Sequence, residues 1–291
     1  MFQGSYVALV TPFRNGIVDE DAFAKLIELQ IEGGTDGVIP CGTTGESCTL
    51  SHEEHEKLIA LTVKLVRGRM KVIAGTGSNN TAEAIRLSQS AEKSGADACL
   101  VINPYYNKPT QKGLYEHFKA VSGSIKIPVI LYNIPSRTAV NLATSTLSEL
   151  AKISNIVGVK EASGDLSQMS EVAVACGSKF SILSGDDALT LPLLSIGGHG
   201  VISVVANIIP RDVKQMIEAF KTGNTVRAME LHQKMFPLVK AMFVETNPIP
   251  VKTALGMMGL LTPEFRLPLT EMEAPNKEKL RQAMISYGIR I

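Results

Sequence analysis

The chain has 291 residues, of which 45% are hydrophobic and 20% are charged, and its formal net charge is +1. These values are ordinary for a globular protein, and the length allows one large core, or a large domain with a smaller one. The balanced charge, without a block of like charges, excludes the electrostatic footprint of a nucleic-acid or acidic-membrane binder.

The spacing of the cysteines and the N-terminal segment indicate in which cellular compartment the protein is expected. The four cysteines fit neither a zinc site nor a disulfide framework; they are Cys41, Cys48, Cys99 and Cys176. We therefore expect a reducing, cytoplasmic environment. The first residues lack the basic and apolar regions of a signal peptide, and no apolar run approaches the ~20 residues of a membrane-spanning helix.

Eight short apolar runs, most of them rich in Val and Ile, predict strands that are covered on both faces. In chain order they are Tyr6–Val10, Gly37–Ile39, Lys71–Ala74, Ala98–Ile102, Val129–Tyr132, Ile156–Lys160, Ser181–Leu183 and Gly200–Ser203. Stretches with helical periodicity separate them. The predicted helices are Asp19–Glu32, one capped by Ser51 with Glu54 three residues later, Thr81–Ser94, Thr110–Ser122, Asn141–Ala151, Leu166–Ala175, Asp187–Ser195 and Arg211–Lys221.

Eight strand–helix units in succession predict an α/β fold of the (β/α)8 barrel type. An open doubly wound sheet is the alternative, but no GxGxxG motif follows the first strand. After Gly223 the chain keeps helical periodicity and loses the strand signal. The sequence therefore predicts a catalytic barrel over residues 1–223 and a C-terminal helical domain over residues 224–291.

Reactive side chains of such barrels gather where the strands end, and Lys160 stands at the end of the sixth predicted strand. An exposed lysine titrates near ~10.4, but burial disfavours the ammonium form. A neutral amine can attack a carbonyl group and form a Schiff base. The structural alternative is a lysine paired with a carboxylate such as Glu161.

Other strand ends carry groups that suit the same chemistry. Tyr132 could move protons, Thr43 and Thr44 lie in a glycine-flanked turn that could bind a small anion, and Arg137 could hold a carboxylate. Each of these residues, considered alone, could instead have a purely structural role. Their common place at one barrel mouth favours an active site.

Three segments together resemble the dihydrodipicolinate synthase family of the N-acetylneuraminate lyase superfamily: GTTGES at Gly42–Ser47, YNIPSRT at Tyr132–Thr138 and VGVKEASGD at Val157–Asp165. The resemblance implies a TIM barrel with a C-terminal helical domain, assembled as a homotetramer that is a dimer of dimers. It also implies condensation of pyruvate with L-aspartate 4-semialdehyde through a Schiff base, in lysine and diaminopimelate biosynthesis, with no metal or organic cofactor.

The resemblance gives each site residue a role. The implied catalytic residues are the Schiff-base Lys160, the proton carrier Tyr132, and the relay residues Thr43 and Tyr106, the last from an adjacent subunit. The implied substrate-binding residues are Thr44, Arg137, Gly185 and the backbone at Ile202. Arg137 favours the synthase over sialic acid lyases and sugar-acid aldolases, which do not carry arginine there.

A second group of residues lies at the start of the second predicted helix, which opens with Ser47, Cys48, His52 and His55. Two histidines share one helix face there, but HExxH is absent and no third ligand lies nearby, which disfavours zinc. Alternatively, these residues form only a solvent-exposed helix start and bind no ligand. The resemblance implies instead an allosteric site for L-lysine, formed by Ser47, Cys48, His52, His55, Asn79, Glu83 and Tyr105. Cys48 stands where many relatives carry alanine.

Three other functions are weighed against the synthase. Another pyruvate-dependent aldolase on the same barrel would act on sugar acids or sialic acid. A catalytically silent barrel could bind an amino acid or a keto acid as a sensor, although a sensor need not keep the nucleophile. A pyridoxal-phosphate enzyme is disfavoured because the sequence shows no dedicated phosphate cradle.

Overall fold

A computed structural model describes all residues from 1 to 291. Eight parallel strands close into a barrel in which each strand pairs with the next one along the chain and the last pairs with the first. Their bounds are β1 Gly4–Ala8, β2 Gly37–Ile39, β3 Lys71–Gly75, β4 Ala98–Ile102, β5 Val129–Asn133, β6 Ile156–Glu161, β7 Ser181–Ser184 and β8 Gly200–Ser203. The predicted barrel is confirmed, and every predicted strand is present within two residues at either end.

Helices cover the outside of the barrel. They are α1 Glu20–Glu32, α2 His52–Val66, α3 Thr81–Lys93, α4 Gln111–Gly123, α5 Thr144–Leu150, α6 Leu166–Cys176, α7 Thr190–Ser195 and α8 Pro210–Lys221. The predicted helix Asp187–Ser195 is instead a 3-10 turn, Asp187–Leu189, followed by α7. The sequence analysis missed an antiparallel pair, Phe13–Arg14 with Ile17–Val18, and a short helix at Pro135–Thr138.

Three further helices follow the barrel: α9 Thr225–Ala241, α10 Ile249–Met257 and α11 Ala274–Tyr287. Their buried side chains, among them Leu231, Leu255 and Leu280, belong to the same hydrophobic core as the barrel helices. Because this core runs across residue 223, the division into two domains stays a prediction. No helix combines the length and the apolar character needed to cross a membrane.

Alternation along the strands decides which side chains face the barrel interior, because successive side chains of a strand point to opposite faces. Ile130, Tyr132, Leu183 and Ile202 belong to a small apolar cluster that is separate from the main core. Lys160 lies beside Tyr132 on β5 and beside Leu183 on β7 in the strand register. Its side chain therefore points into the barrel.

Candidate active site

A cavity of about 260 Å³ opens at the carboxyl ends of the strands. Six residues of the predicted catalytic and substrate sets line it: Thr43, Thr44, Tyr132, Arg137, Lys160 and Gly185. They come from segments that lie far apart in the chain. The barrel mouth therefore collects most of the predicted site in one place.

Lys160 is 6% exposed at the end of β6. Burial lowers the pKa of its amine to about 7, with the Asp187 carboxylate opposing this shift and the Arg137 guanidinium adding to it. Glu161 does not pair with Lys160: its carboxylate accepts hydrogen bonds from the side chain of Asn133 at 3.1 and 3.2 Å. A large fraction of the Lys160 amine is consequently neutral near pH 7.

Tyr132 lies directly across from Lys160 on the neighbouring strand. The Lys160 Nζ atom is 4.2 Å from the centre of the phenol ring. Burial raises the pKa of Tyr132 to about 12, although the charge of Arg137 and a hydrogen bond with Thr43 act to lower it. The phenol thus keeps its proton at neutral pH and can donate it to a group bound at Lys160.

The turn that carries Thr43 and Thr44 is closed by backbone hydrogen bonds, including one of 3.0 Å from the Gly45 nitrogen to the Gly42 oxygen. Thr44 is buried, and its hydroxyl accepts a 3.0 Å hydrogen bond from Nδ2 of Asn247. The Thr44 hydroxyl is therefore fixed by a partner in the C-terminal region.

Arg137 lies on the short helix Pro135–Thr138 at the rim of the cavity. Its guanidinium donates a 3.1 Å hydrogen bond to the backbone oxygen of Asn247, and the side chain remains exposed enough to meet a ligand. A guanidinium in this position can bind a carboxylate through two parallel hydrogen bonds.

Gly185 leaves room for the Lys160 side chain. A Cβ atom added at Gly185 would lie 2.6 Å from the Ala162 Cβ and 3.1 Å from the Lys160 Cε. The first distance is shorter than real Cβ contacts. Any larger residue at position 185 would therefore push on the strand end that carries Lys160.

Two residues of the predicted catalytic and substrate-binding sets do not line the cavity. Ile202 is fully buried in the inner cluster, and Val204, two residues further on, lines the cavity instead. Tyr106 is 89% exposed and adopts a left-handed backbone conformation, with φ 73°. Within one chain it takes no part in the site.

The chain is similar to known proteins over its whole length. Residues 1–286 match the sequence model of the Dihydrodipicolinate synthetase family. The 4-hydroxy-tetrahydrodipicolinate synthase of Syntrophus aciditrophicus is 57% identical over 289 residues, which cover 99% of both chains. The crystal structure of dihydrodipicolinate synthase from Aquifex aeolicus superposes with a TM-score of 0.98, at 52% identity, over 100% of this chain and 99% of that one.

The chain belongs to the dihydrodipicolinate synthetase family. It is an enzyme of the lyase class, and the predicted family and enzyme class are confirmed. Two further structures of the family each superpose with a TM-score of 0.97 at 44% identity and cover 99% of this chain. One is the Cyanidioschyzon merolae protein with lysine bound, covered over 99% of its length, and the other is the Acinetobacter baumannii protein in complex with pyruvate, covered over 100%.

The residues predicted for a family lysine site fall into two groups. Ser47, Cys48 and Tyr105 line the same cavity as Lys160. Further out, the His52 ring lies 2.5 Å from the Glu83 carboxylate. Hydrogen bonds from Ser78 and from His52 lower the pKa of Glu83 against the opposing effect of burial, which keeps this carboxylate charged.

The members of this second group have different surroundings in the structure. Ser47 and Cys48 do not open α2: they lie in a separate 3-10 turn, Ser47–Thr49, and α2 begins at His52 with Ser51 as its cap. His52 and His55 are not equivalent either, because His55 is buried and its Nε2 lies 2.8 Å from the Gly75 oxygen.

Asn79 belongs to the same neighbourhood, and its backbone oxygen accepts a hydrogen bond from the side chain of Asn107. The protein contains no group of three or more His, Cys, Asp or Glu side chains that could hold a metal ion.

Phe243 and Asn247, both from the C-terminal region, are among the cavity-lining residues that the sequence did not predict. Asn247 contacts both Thr44 and Arg137, and its buried Oδ1 atom has no hydrogen-bond partner in the protein. The only sequence signal was an Asn-Pro pair before a helix, which marks a turn but gives no sign of a long-range contact.

The lowered pKa of Lys160 predicts its reactivity as a function of pH. Trace acetylation of the protein, read out by peptide mass spectrometry, should show half-maximal labelling of Lys160 near pH 7, compared with ~10.4 for a lysine in water. Arg137→Gln removes a positive charge and should raise the midpoint, whereas Asp187→Asn should lower it. A Lys160 midpoint near that of exposed lysines, or shifts of the same sign in both variants, would contradict this assignment.

Proposed function

We propose that this protein catalyses the 4-hydroxy-tetrahydrodipicolinate synthase reaction, the condensation of pyruvate with L-aspartate 4-semialdehyde through a Schiff base on Lys160. The observation that carries the proposal is the buried amine, with a pKa of about 7, next to a protonated phenol. Family membership and the pyruvate complex of the Acinetobacter baumannii relative support the choice of substrates.

The first step joins pyruvate to the enzyme. The neutral Lys160 amine attacks C2 of pyruvate and gives a carbinolamine, which loses water to become an imine. Tyr132 donates the proton that converts the departing hydroxyl into water, and Thr43 passes a proton back to the phenol. Thr44, which lines the cavity, binds the pyruvate carboxylate.

The second step forms a carbon–carbon bond. Loss of a proton from C3 of the imine gives an enamine, which attacks the aldehyde carbon of L-aspartate 4-semialdehyde. The amino group of that substrate then adds to C2 and displaces Lys160, which closes the ring and frees the enzyme. The lysine is the electron sink, so this route calls on no organic cofactor or metal.

Arg137 is the residue that favours this aldehyde over longer hydroxylated sugar acids. Its guanidinium lies at the rim of the cavity, next to Asn247, where the carboxylate of a short second substrate would arrive. The alternative, another pyruvate-dependent aldolase of the superfamily, predicts turnover with sugar acids or sialic acid. Assays of one enzyme preparation with L-aspartate 4-semialdehyde and with sugar acids or sialic acid separate the two functions.

A homotetramer, built as a dimer of dimers, fits the position of Tyr106. This side chain is 89% exposed on its own chain, and in the proposed assembly it reaches the neighbouring active site and completes the proton relay with Thr43 and Tyr132. A cytoplasmic location fits the four free cysteines.

The Schiff base predicts a covalent adduct. Borohydride reduction in the presence of pyruvate should add one reduced pyruvyl group to Lys160, and Lys160→Ala should abolish the adduct and lower kcat by about 10³-fold or more. Lys152→Ala, at an exposed position away from the cavity, serves as the matched control. An absent adduct in the wild type would favour the sensor alternative.

We also propose that L-lysine inhibits the enzyme at the second group of residues. The C. merolae relative with lysine bound supports this assignment. Glu83 supplies a charged carboxylate for the amino groups of the ligand, and Tyr105, which lies beside Cys48 at the cavity wall, connects this group to the neighbouring Tyr106. The coupling between the two sites is then carried by adjacent residues of one loop.

Feedback by L-lysine predicts loss of activity during a titration with millimolar L-lysine. Glu83→Gln should raise the half-inhibiting concentration by about 10-fold or more, because it removes a charge-assisted hydrogen bond to the ligand. Glu53→Gln, an exposed position on α2 next to His52, should leave the titration unchanged. Full activity of the wild type at millimolar lysine would refute the proposal.

A further inference from the structure

A buried ion pair lies behind the threonine turn and takes no direct part in the proposed chemistry. The Lys252 Nζ atom of α10 is 2.5 Å from Glu46 Oε1, and neither side chain has any solvent exposure. Glu46 is the fifth residue of the GTTGES segment. The pair therefore joins the C-terminal helices to the loop that carries Thr43 and Thr44.

The surroundings of the Lys252 ammonium group are arranged to hold a charge. It donates a second hydrogen bond, of 2.6 Å, to the Glu264 backbone oxygen. The rings of Phe13 and Phe265 lie on it with centroid distances of 4.4 and 4.9 Å, in the range of cation–π contacts. Burial lowers the pKa of Lys252, and the Glu46 carboxylate opposes that shift.

Glu46 is held in an unfavourable backbone conformation. Its φ of 54° and ψ of 39° place it in the left-handed region, which costs conformational free energy for any residue other than glycine. Its backbone nitrogen donates a 3.1 Å hydrogen bond to the Thr43 oxygen. The conformation of Glu46 thus closes the turn whose hydroxyls face the cavity.

The C-terminal region holds this turn at two points. Asn247, which precedes α10, donates to the Thr44 hydroxyl, and Lys252, within α10, binds the Glu46 carboxylate. The backbone nitrogen of Arg266 approaches the other Glu46 oxygen at 3.4 Å. Side chains of the helical region therefore fix both ends of the Thr44–Glu46 segment.

We propose that the Lys252–Glu46 pair is a positioning device that sets the threonine hydroxyls for proton transfer at Lys160. The inference rests on the proposed function. A buried ion pair adds little net stability compared with well-packed apolar side chains, so its contribution is one of geometry. Displacement of a catalytic group by about 1 Å can cost about 10²-fold in rate.

The test compares the single variant Lys252→Met with the double variant Glu46→Gln/Lys252→Met. The single variant leaves an unpaired buried carboxylate and should lower Tm by about 10 °C. The double variant removes both charges and should recover most of that loss, yet kcat should stay about 10²-fold below wild type. In the double variant the rate at which the borohydride-trapped adduct forms should fall together with kcat, whereas KM for pyruvate should change much less.

Lys214→Met serves as the matched control, because Lys214 pairs with Asp36 at the opposite end of the barrel and its loss should leave kcat unchanged. Wild-type kcat in a folded double variant would overturn the positioning role. Failure of the wild type to form the adduct would refute the proposed function instead.

A further variant covers the case in which the double variant does not fold. Phe265→Leu removes one aromatic ring from Lys252 and should lower kcat about five-fold. An unchanged kcat in this variant would also overturn the inference.

Discussion

The removal of one amine from water is the constraint on which this site depends. Lys160 reaches the barrel interior because the alternation of β6 turns it inward, and its pKa falls because burial there takes the ammonium group out of water. Asp187 is close enough to oppose the shift but bonds to Ser203 and to the backbone of Val204 instead. An amine in direct contact with a carboxylate here would stay charged and unreactive.

Glu161, which follows Lys160 on the same strand, does not pair with the Lys160 amine. Glu161 points outward, where Asn133 and the backbone nitrogen of Ser163 satisfy its carboxylate. An amine and a carboxyl group adjacent in sequence are thus kept on the two faces of one strand. The inward face of the neighbouring strand supplies the phenol of Tyr132, and Gly185 supplies the space for the lysine side chain. The reactivity of Lys160 therefore depends on the strand register and on the absence of a Cβ atom at Gly185.

Much of this arrangement could be predicted from the sequence, because it depends on local pattern. Val- and Ile-rich runs with short polar endings locate the strands, and strand ends locate Lys160, Tyr132 and the threonine turn. Asn247, Lys252 and Phe243 could not be found this way. Their role depends on contacts across about two hundred residues of chain, as between Lys252 and Glu46, and neither periodicity nor motif encodes such a contact. The helix at Pro135–Thr138 was missed because four residues show no period.

The most direct test of the central claim is a crystal structure of the protein grown with pyruvate near pH 8. We expect continuous electron density from the Lys160 Nζ atom to C2 of pyruvate, inside the barrel and next to the Tyr132 phenol. Lys160 turned outward into solvent and free of any adduct, with pyruvate absent or bound elsewhere, would contradict it.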